Sequence, residues 1–140
     1  MNIPITRPYL DEREQELVAD VIASGWVTQG PRVEEFEETF AAYVGAPHAV
    51  AVTSCTAALH LSLLALGIGP GDEVIIPSMT FIATANAILH AGATPVFVEV
   101  HPRTVNIDPQ SVEDAITPRT KAIIAVHYCG YPSDMDAIMA

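Results

Sequence analysis

The feature that most restricts the fold is a regular alternation of short apolar runs with helical stretches from His48 onward. Strands are expected at residues 49–52, 73–76, 95–100 and 121–126. Helices are expected from about Thr56, over residues 80–91 and 109–116, and from near Ser133. Val74-Ile75-Ile76 and Ile123-Ile124-Ala125-Val126 have no polar alternate positions, so both faces of each extended strand are apolar. Such strands need a covering layer on either side, and a helix after each strand supplies it. The pattern therefore predicts an α/β fold, three-layer α/β/α with a mostly parallel sheet. Gly67, Gly71, Gly92, Pro77 and Pro118 fall at the junctions.

The turn of the first repeat, Thr53-Ser54-Cys55-Thr56-Ala57-Ala58, is built of small and hydroxyl residues, and a Leu-rich helix stopped by Gly67 follows it. A helix entrance of this kind presents unpaired N–H groups at the positive end of the helix dipole, so its expected guest is a phosphate or carboxylate. A dinucleotide turn would need G-x-G-x-x-G here, and the position lacks it. Gly67-Ile68-Gly69-Pro70-Gly71 lies between a helix and the following strand, which makes it a connection.

Cys55 sits where a nucleophile is conceivable, but no histidine can be paired with it from sequence, and it reads as a small turn residue. The five histidines show neither H-x₃-H nor HExxH spacing, so no metal site is expected, and no G-x-S-x-G elbow occurs. Phe81 follows the second expected strand at the same sheet edge as the turn. Spacing leaves two readings open: a core residue, or a ring that stacks on a flat cofactor.

Before the repeats, residues 1–10 contain Pro4 and Pro8 and read as an extended arm. A helix over residues 11–24 is capped by Asp11 with Glu14 at the capping-box position, and Leu17, Val18, Val21 and Ile22 form its apolar stripe. The loop Trp26-Val27-Thr28-Gln29-Gly30 leads into a second helix that opens at Pro31, carries Val33, Phe36, Phe40 and Val44 on one side, and stops at Gly45.

Half of the 140 residues are hydrophobic and 16% are charged, with a mean hydropathy of +0.32. That is greasy for a free-standing domain, and the last expected helix stops after about two turns. The chain therefore reads as part of something larger, with a partner covering surface that 140 residues leave open. A net charge of −11 with six Lys and Arg argues against a nucleic-acid partner. Two cysteines without a CxxC, no secretory leader and no apolar run near ~20 residues predict a reduced, soluble, cytoplasmic protein away from membranes.

Several blocks, in order, carry a resemblance. They are Ser54-Cys55-Thr56-Ala57-Ala58-Leu59-His60, Gly69-Pro70-Gly71-Asp72-Glu73-Val74-Ile75 with Pro77-Ser78-Met79-Thr80-Phe81, Ile116-Thr117-Pro118-Arg119-Thr120-Lys121, Val126-His127-Tyr128 with Gly130, and Asp134-Met135-Asp136-Ala137-Ile138. With Arg7-Pro8 and Ser24-Gly25-Trp26-Val27-Thr28, they resemble the DegT/DnrJ/StrS-type nucleotide-sugar aminotransferases over essentially the whole chain. Within that family the chain looks nearest to the subgroup that makes UDP-4-amino-4-deoxy-L-arabinose.

The resemblance implies the N-terminal part of the large domain of a fold-type I enzyme dependent on pyridoxal 5'-phosphate (PLP). Residues 1–47 would be an arm and two helices, residues 48–140 the βα repeats, and the C-terminal remainder would be absent. By position, Thr56 and Ala57 are similar to the pair that holds the cofactor phosphate, and Phe81 to the aromatic that stacks on the pyridine ring. Trp26 and Thr28 are the substrate-side candidates. The implied reaction moves an amino group from an amino acid, commonly glutamate, to a nucleotide-linked keto-sugar, in a homodimer serving polysaccharide, lipopolysaccharide or secondary-metabolite sugar biosynthesis.

Cys55 stands where the family usually has glycine or alanine, and Gln29 where threonine is common. The only lysine, Lys121, matches a strand entrance and not the Schiff-base site. The Schiff-base lysine and the acidic partner of the pyridinium are therefore expected downstream, and the 140 residues alone are expected to be inactive. Two alternatives are a non-catalytic truncated or regulatory relative that keeps the fold, and a PLP-dependent sugar dehydratase or deoxygenase of the same family.

Overall fold

Three parallel strands order the larger part of the molecule. In the computed structural model, which describes residue 4 and residues 6–140, β1 (Glu73–Pro77) lies between β2 (Thr94–Val98) and β3 (Thr120–Ile123). Glu73 to Pro77 run in register beside Thr94 to Val98. On the other side Glu73 faces Thr120 and Val74 faces Ala122, an irregularity that leaves Lys121 between them. Every residue of β1 is buried, as a central strand covered on both faces requires.

The helices form the outer layers. They are α3 (Cys55–Ala65), α4 (Ile82–His90), α5 (Pro109–Ala115) and the short α6 (Met135–Met139). Side chains alternate along β1. Val74 and Ile76 join Leu63 and Ile68 with Ala85, Ala87 and Ile88 of α4 in one apolar cluster. Ile75 points the other way, into a cluster with Val98, Ile107 and Val112 that Ile138 flanks. Each fully buried isoleucine contributes about 1.5–3 kcal/mol relative to exposure. The three-layer expectation is met by these two clusters on opposite faces of one sheet.

The turn after α3 shows why Gly67 is needed. Its N–H reaches the Leu64 carbonyl at 3.0 Å and the Ile68 N–H reaches the Leu63 carbonyl at 3.0 Å, a closure that holds Gly67 at φ +73°. At the same end of the sheet Glu73 is buried, at 7% exposure. It accepts from the Thr117 hydroxyl at 2.5 Å and from the Arg119 guanidinium, which clasps the starts of β1 and β3 together.

The expectation for residues 49–52 is corrected. This segment joins no sheet, and its Ala51 N–H instead donates to the Glu37 carboxylate at 2.7 Å. A strand is fixed by its ladder, and among the described residues none runs beside this one. The other strand expectations hold with shifted ends: β1 runs on to Pro77, β2 and β3 each begin one residue earlier and stop sooner, and Val100 lies beyond β2 in an isolated antiparallel bridge to Ile107. A 3₁₀ turn at Tyr128–Gly130, which the sequence pattern did not suggest, precedes α6.

Two compact units divide the chain, residues 1–51 and residues 52–140. The first holds α1 (Glu12–Ser24) and α2 (Pro31–Val44). Asp11 caps α1, accepting from the Arg13 N–H at 2.9 Å, while its own N–H donates to Glu14 at 2.7 Å. Pro31 opens α2, and Gly25 and Gly45 close the two helices. The stripe on α1 is as expected, yet none of its residues is buried, and Val18 and Ile22 remain 59% and 66% exposed. The arm expected over residues 1–10 falls in part, at residues 1–3 and 5, outside the described residues. No helix among the described residues is long and apolar enough to cross a membrane.

Candidate functional site

The parallel sheet decides where the chemistry gathers. α3 runs into β1 through the turn at the strands' amino ends, and β1 runs into α4 at their carboxyl ends. Both helices thus run opposite to the strands, and the entrances of α3 and α4 lie at the carboxyl edge of the sheet. The loops after β2 and β3 emerge at that edge too. In open α/β sheets this is the ligand-binding edge.

Ser54 is the N-cap of α3, with extended backbone at φ −163° and ψ 160°. Its hydroxyl oxygen accepts from the Ala57 N–H at 3.1 Å, and its carbonyl accepts from the Ala58 N–H at 3.0 Å. The Cys55 and Thr56 N–H groups and the Thr56 hydroxyl have no protein partner among the described residues. Cys55 is exposed, and Thr56 and Ala57 are half-buried. Donors at the positive end of an eleven-residue helix suit an anion. One of the two expected amides, that of Ala57, is already engaged by Ser54, which the sequence reading did not anticipate.

Phe81 occupies the N-cap of α4 at φ −71° and ψ 141°, and the residue is 78% exposed. This removes the core reading. The extended Phe81 backbone is also why α4 begins at Ile82 and not at Thr80. A phenylalanine offers no oxygen to the helix start, and no side chain caps α4. The neighbouring hydroxyls of Thr80 and Thr84 bond each other at 2.8 Å, and Thr84 is buried beneath this turn. The site therefore offers anion donors at one helix entrance and an open aromatic ring at the next, a set that fits a flat, phosphorylated cofactor.

The wall formed by the loops after β2 and β3 depends on Asn106, which is buried. Its side-chain nitrogen donates to the Tyr131 carbonyl at 2.9 Å, and its side-chain oxygen accepts from the Tyr128 N–H at 2.9 Å. Preceding it, Val105 takes φ +60°, a value β-branched residues rarely adopt. A polar hollow of about 300 Å³ between His101, Arg103, Asn106, Tyr131 and Asp134 lies alongside. Sequence reasoning missed Asn106, because an amide that bridges two loops leaves no local spacing signal.

Lys121 lies at the opposite end of the sheet. It sits beside Glu73 at the start of the strands, and Pro77 at the carboxyl end is four residue steps further along, about 13 Å of strand. A lysine side chain is far too short to span that. Among the described residues, no group of three or more His, Cys, Asp or Glu side chains is placed to hold a metal ion.

Trp26 and Thr28 belong to the first unit, where both are exposed. The Trp26 ring lies against Gly30, where a Cβ would come within 3.0 Å of it. Together with Val21, Ser24 and Val33, Trp26 and Thr28 line a hollow of about 460 Å³.

This architecture is that of the fold-type I aminotransferases, as solved structures bear out. The proposed sugar aminotransferase Spr1654 of Streptococcus pneumoniae, solved in its PMP form, superposes with a TM-score of 0.94 at 43% identity, over 99% of this chain and 35% of its own. S. venezuelae DesV, solved with a ketimine intermediate, gives 0.87 at 51% identity, over 91% of this chain and 34% of its own. A curated relative, the spore coat polysaccharide biosynthesis protein SpsC of Bacillus subtilis, is 55% identical over 99% of this chain and 36% of its own length. The DegT/DnrJ/EryC1/StrS aminotransferase family model matches residues 8–140, and the chain belongs to that family. It spans about a third of the length of these relatives.

Proposed function

We propose that this chain is the cofactor-seating N-terminal part of a PLP-dependent aminotransferase that moves an amino group from glutamate to a nucleotide-linked keto-sugar. The observation that carries the reading is the pairing of unengaged donors at the α3 entrance with an exposed ring at the α4 entrance, on one sheet edge. Family membership and the names of SpsC and Spr1654 support the sugar chemistry. The bound cofactor supplies an electron sink and a carrier for the amino group.

The residues of this chain bind and orient that group. Thr56 would donate its N–H and hydroxyl to the phosphate, the Ala57 N–H would add a third donor, and Phe81 would stack on the pyridine ring. Trp26 and Thr28 face substrate. Helix-end capture contributes about 0.3–2 kcal/mol and stacking about 0.5–1.5 kcal/mol. Such contributions orient a cofactor but do not retain it, so the 140 residues alone do not transaminate. The place of Lys121 supports this, and a borohydride-trapped cofactor adduct on Lys121 would refute it.

The exposed apolar stripes of α1 and α2 support burial against a second copy in a homodimer. The net charge of −11 and the free thiols of Cys55 and Cys129 support a reduced, cytoplasmic setting without nucleic-acid or membrane partners. The test is incubation of the complete, cofactor-loaded protein with glutamate alone. A transaminase releases one 2-oxoglutarate per site without sugar. A non-catalytic relative releases none, and a dehydratase is told apart by a sugar product that loses a hydroxyl without gaining nitrogen.

A further inference from the structure

We propose that the Ser54 hydroxyl and the cofactor phosphate compete for one donor, the Ala57 N–H, so that Ser54 sets how tightly the phosphate is gripped. The proposal rests on the reading of the α3 entrance as the phosphate seat.

Of the first four amides of α3, that of Ala58 is committed to the Ser54 carbonyl at 3.0 Å and that of Ala57 to the Ser54 hydroxyl oxygen at 3.1 Å. A phosphate seated on Thr56 and Ala57 needs the proton that Ser54 holds. One N–H makes one well-aligned hydrogen bond, and sharing it lengthens and weakens both. Ser54 is exposed, so its side chain can turn to another rotamer and exchange the amide for water without leaving a buried polar atom unpaired. The start of α3 is thus satisfied by either occupant. The strength of the serine cap is subtracted from the phosphate's affinity, which makes Ser54 a positioning residue that acts through the Ala57 amide.

The test uses the complete protein, freed of cofactor, titrated with pyridoxamine 5'-phosphate and with pyridoxamine. The ratio of the two affinities isolates the phosphate. Ser54→Ala is expected to raise that ratio about fivefold, which is a typical serine-cap loss of ~1 kcal/mol converted to a fold-change. It also lowers the melting temperature of the cofactor-free protein while leaving that of the loaded protein close to wild type. Ser54→Gly, which a helix start tolerates far better, is expected to raise the ratio in the same direction should the alanine variant fold poorly.

A ratio that falls or stays constant in Ser54→Ala and Ser54→Gly, while Thr56→Val lowers it, overturns the competition and leaves the phosphate seat standing. Such a fall would mean that the serine hydroxyl donates to the phosphate. A ratio that none of the three variants changes overturns the phosphate seat itself.

Discussion

Phe81 sits where a helix start prefers Ser, Thr, Asp or Asn, and it leaves α4 without a side-chain cap. The residue is 78% exposed, so little of it supports the core. Phe81→Ala is therefore expected to change the stability of the cofactor-free protein by no more than ~0.5 kcal/mol, as for an exposed site. Phe81→Asp supplies an oxygen to the first turn and is expected to stabilise that form by about 1 kcal/mol. Both variants lose the ring proposed to stack on the pyridine, a contact worth about 0.5–1.5 kcal/mol, which is expected to weaken cofactor affinity about 2- to 13-fold. The aspartate adds repulsion toward the phosphate and falls at the weak end or below. The assay pairs urea denaturation of the cofactor-free protein with titration of pyridoxamine 5'-phosphate. The reasoning is refuted if Phe81→Ala destabilises by more than 1.5 kcal/mol, roughly half the least cost of truncating a core phenylalanine. It is equally refuted if both variants bind the phosphorylated cofactor as wild type does. A residue that breaks a local rule for the fold and obeys one for a ligand is the pattern expected at a functional site.

Two further outcomes follow from the packing. Ile76→Ala empties a fully buried position beneath α3 and α4 and is expected to cost about 2–5 kcal/mol in denaturant unfolding, with Ile75→Ala giving a similar loss on the opposite face. Asn106→Ala leaves the Tyr128 N–H and the Tyr131 carbonyl without their partner and is expected to cost about 1–3 kcal/mol. Asn106→Asp keeps the acceptor, loses the donor to Tyr131, and should also destabilise in thermal melts at neutral pH.

The layered fold was legible because its determinants are local and periodic. The unbroken apolar run at Val74-Ile75-Ile76, the Asp11 cap, and the glycines after α1, α2 and α3 each announce one boundary by their own chemistry. Residues 49–52 misled because a short apolar run states that a strand is possible and says nothing of a neighbour to pair with. The helix entrance at Ser54 to Ala57 and the strand end before Phe81 are visible in sequence, whereas the candidate roles of Thr56, Ala57 and Phe81 toward a cofactor come from the family resemblance. The serine that already holds the Ala57 N–H, and the asparagine that ties two loops together, depend on geometry. Ser54 bonds three residues ahead and Asn106 reaches twenty-two and twenty-five residues ahead, contacts that no periodicity encodes.

The most direct test of the account follows the nitrogen. The complete, cofactor-loaded protein is incubated with ¹⁵N-glutamate and a panel of nucleotide-linked keto-sugars, and the products are read by mass spectrometry. The account predicts an amino-sugar nucleotide that carries the label, with an equal amount of 2-oxoglutarate. Nucleotide sugars that return unchanged, or that lose a hydroxyl without gaining nitrogen, would contradict it.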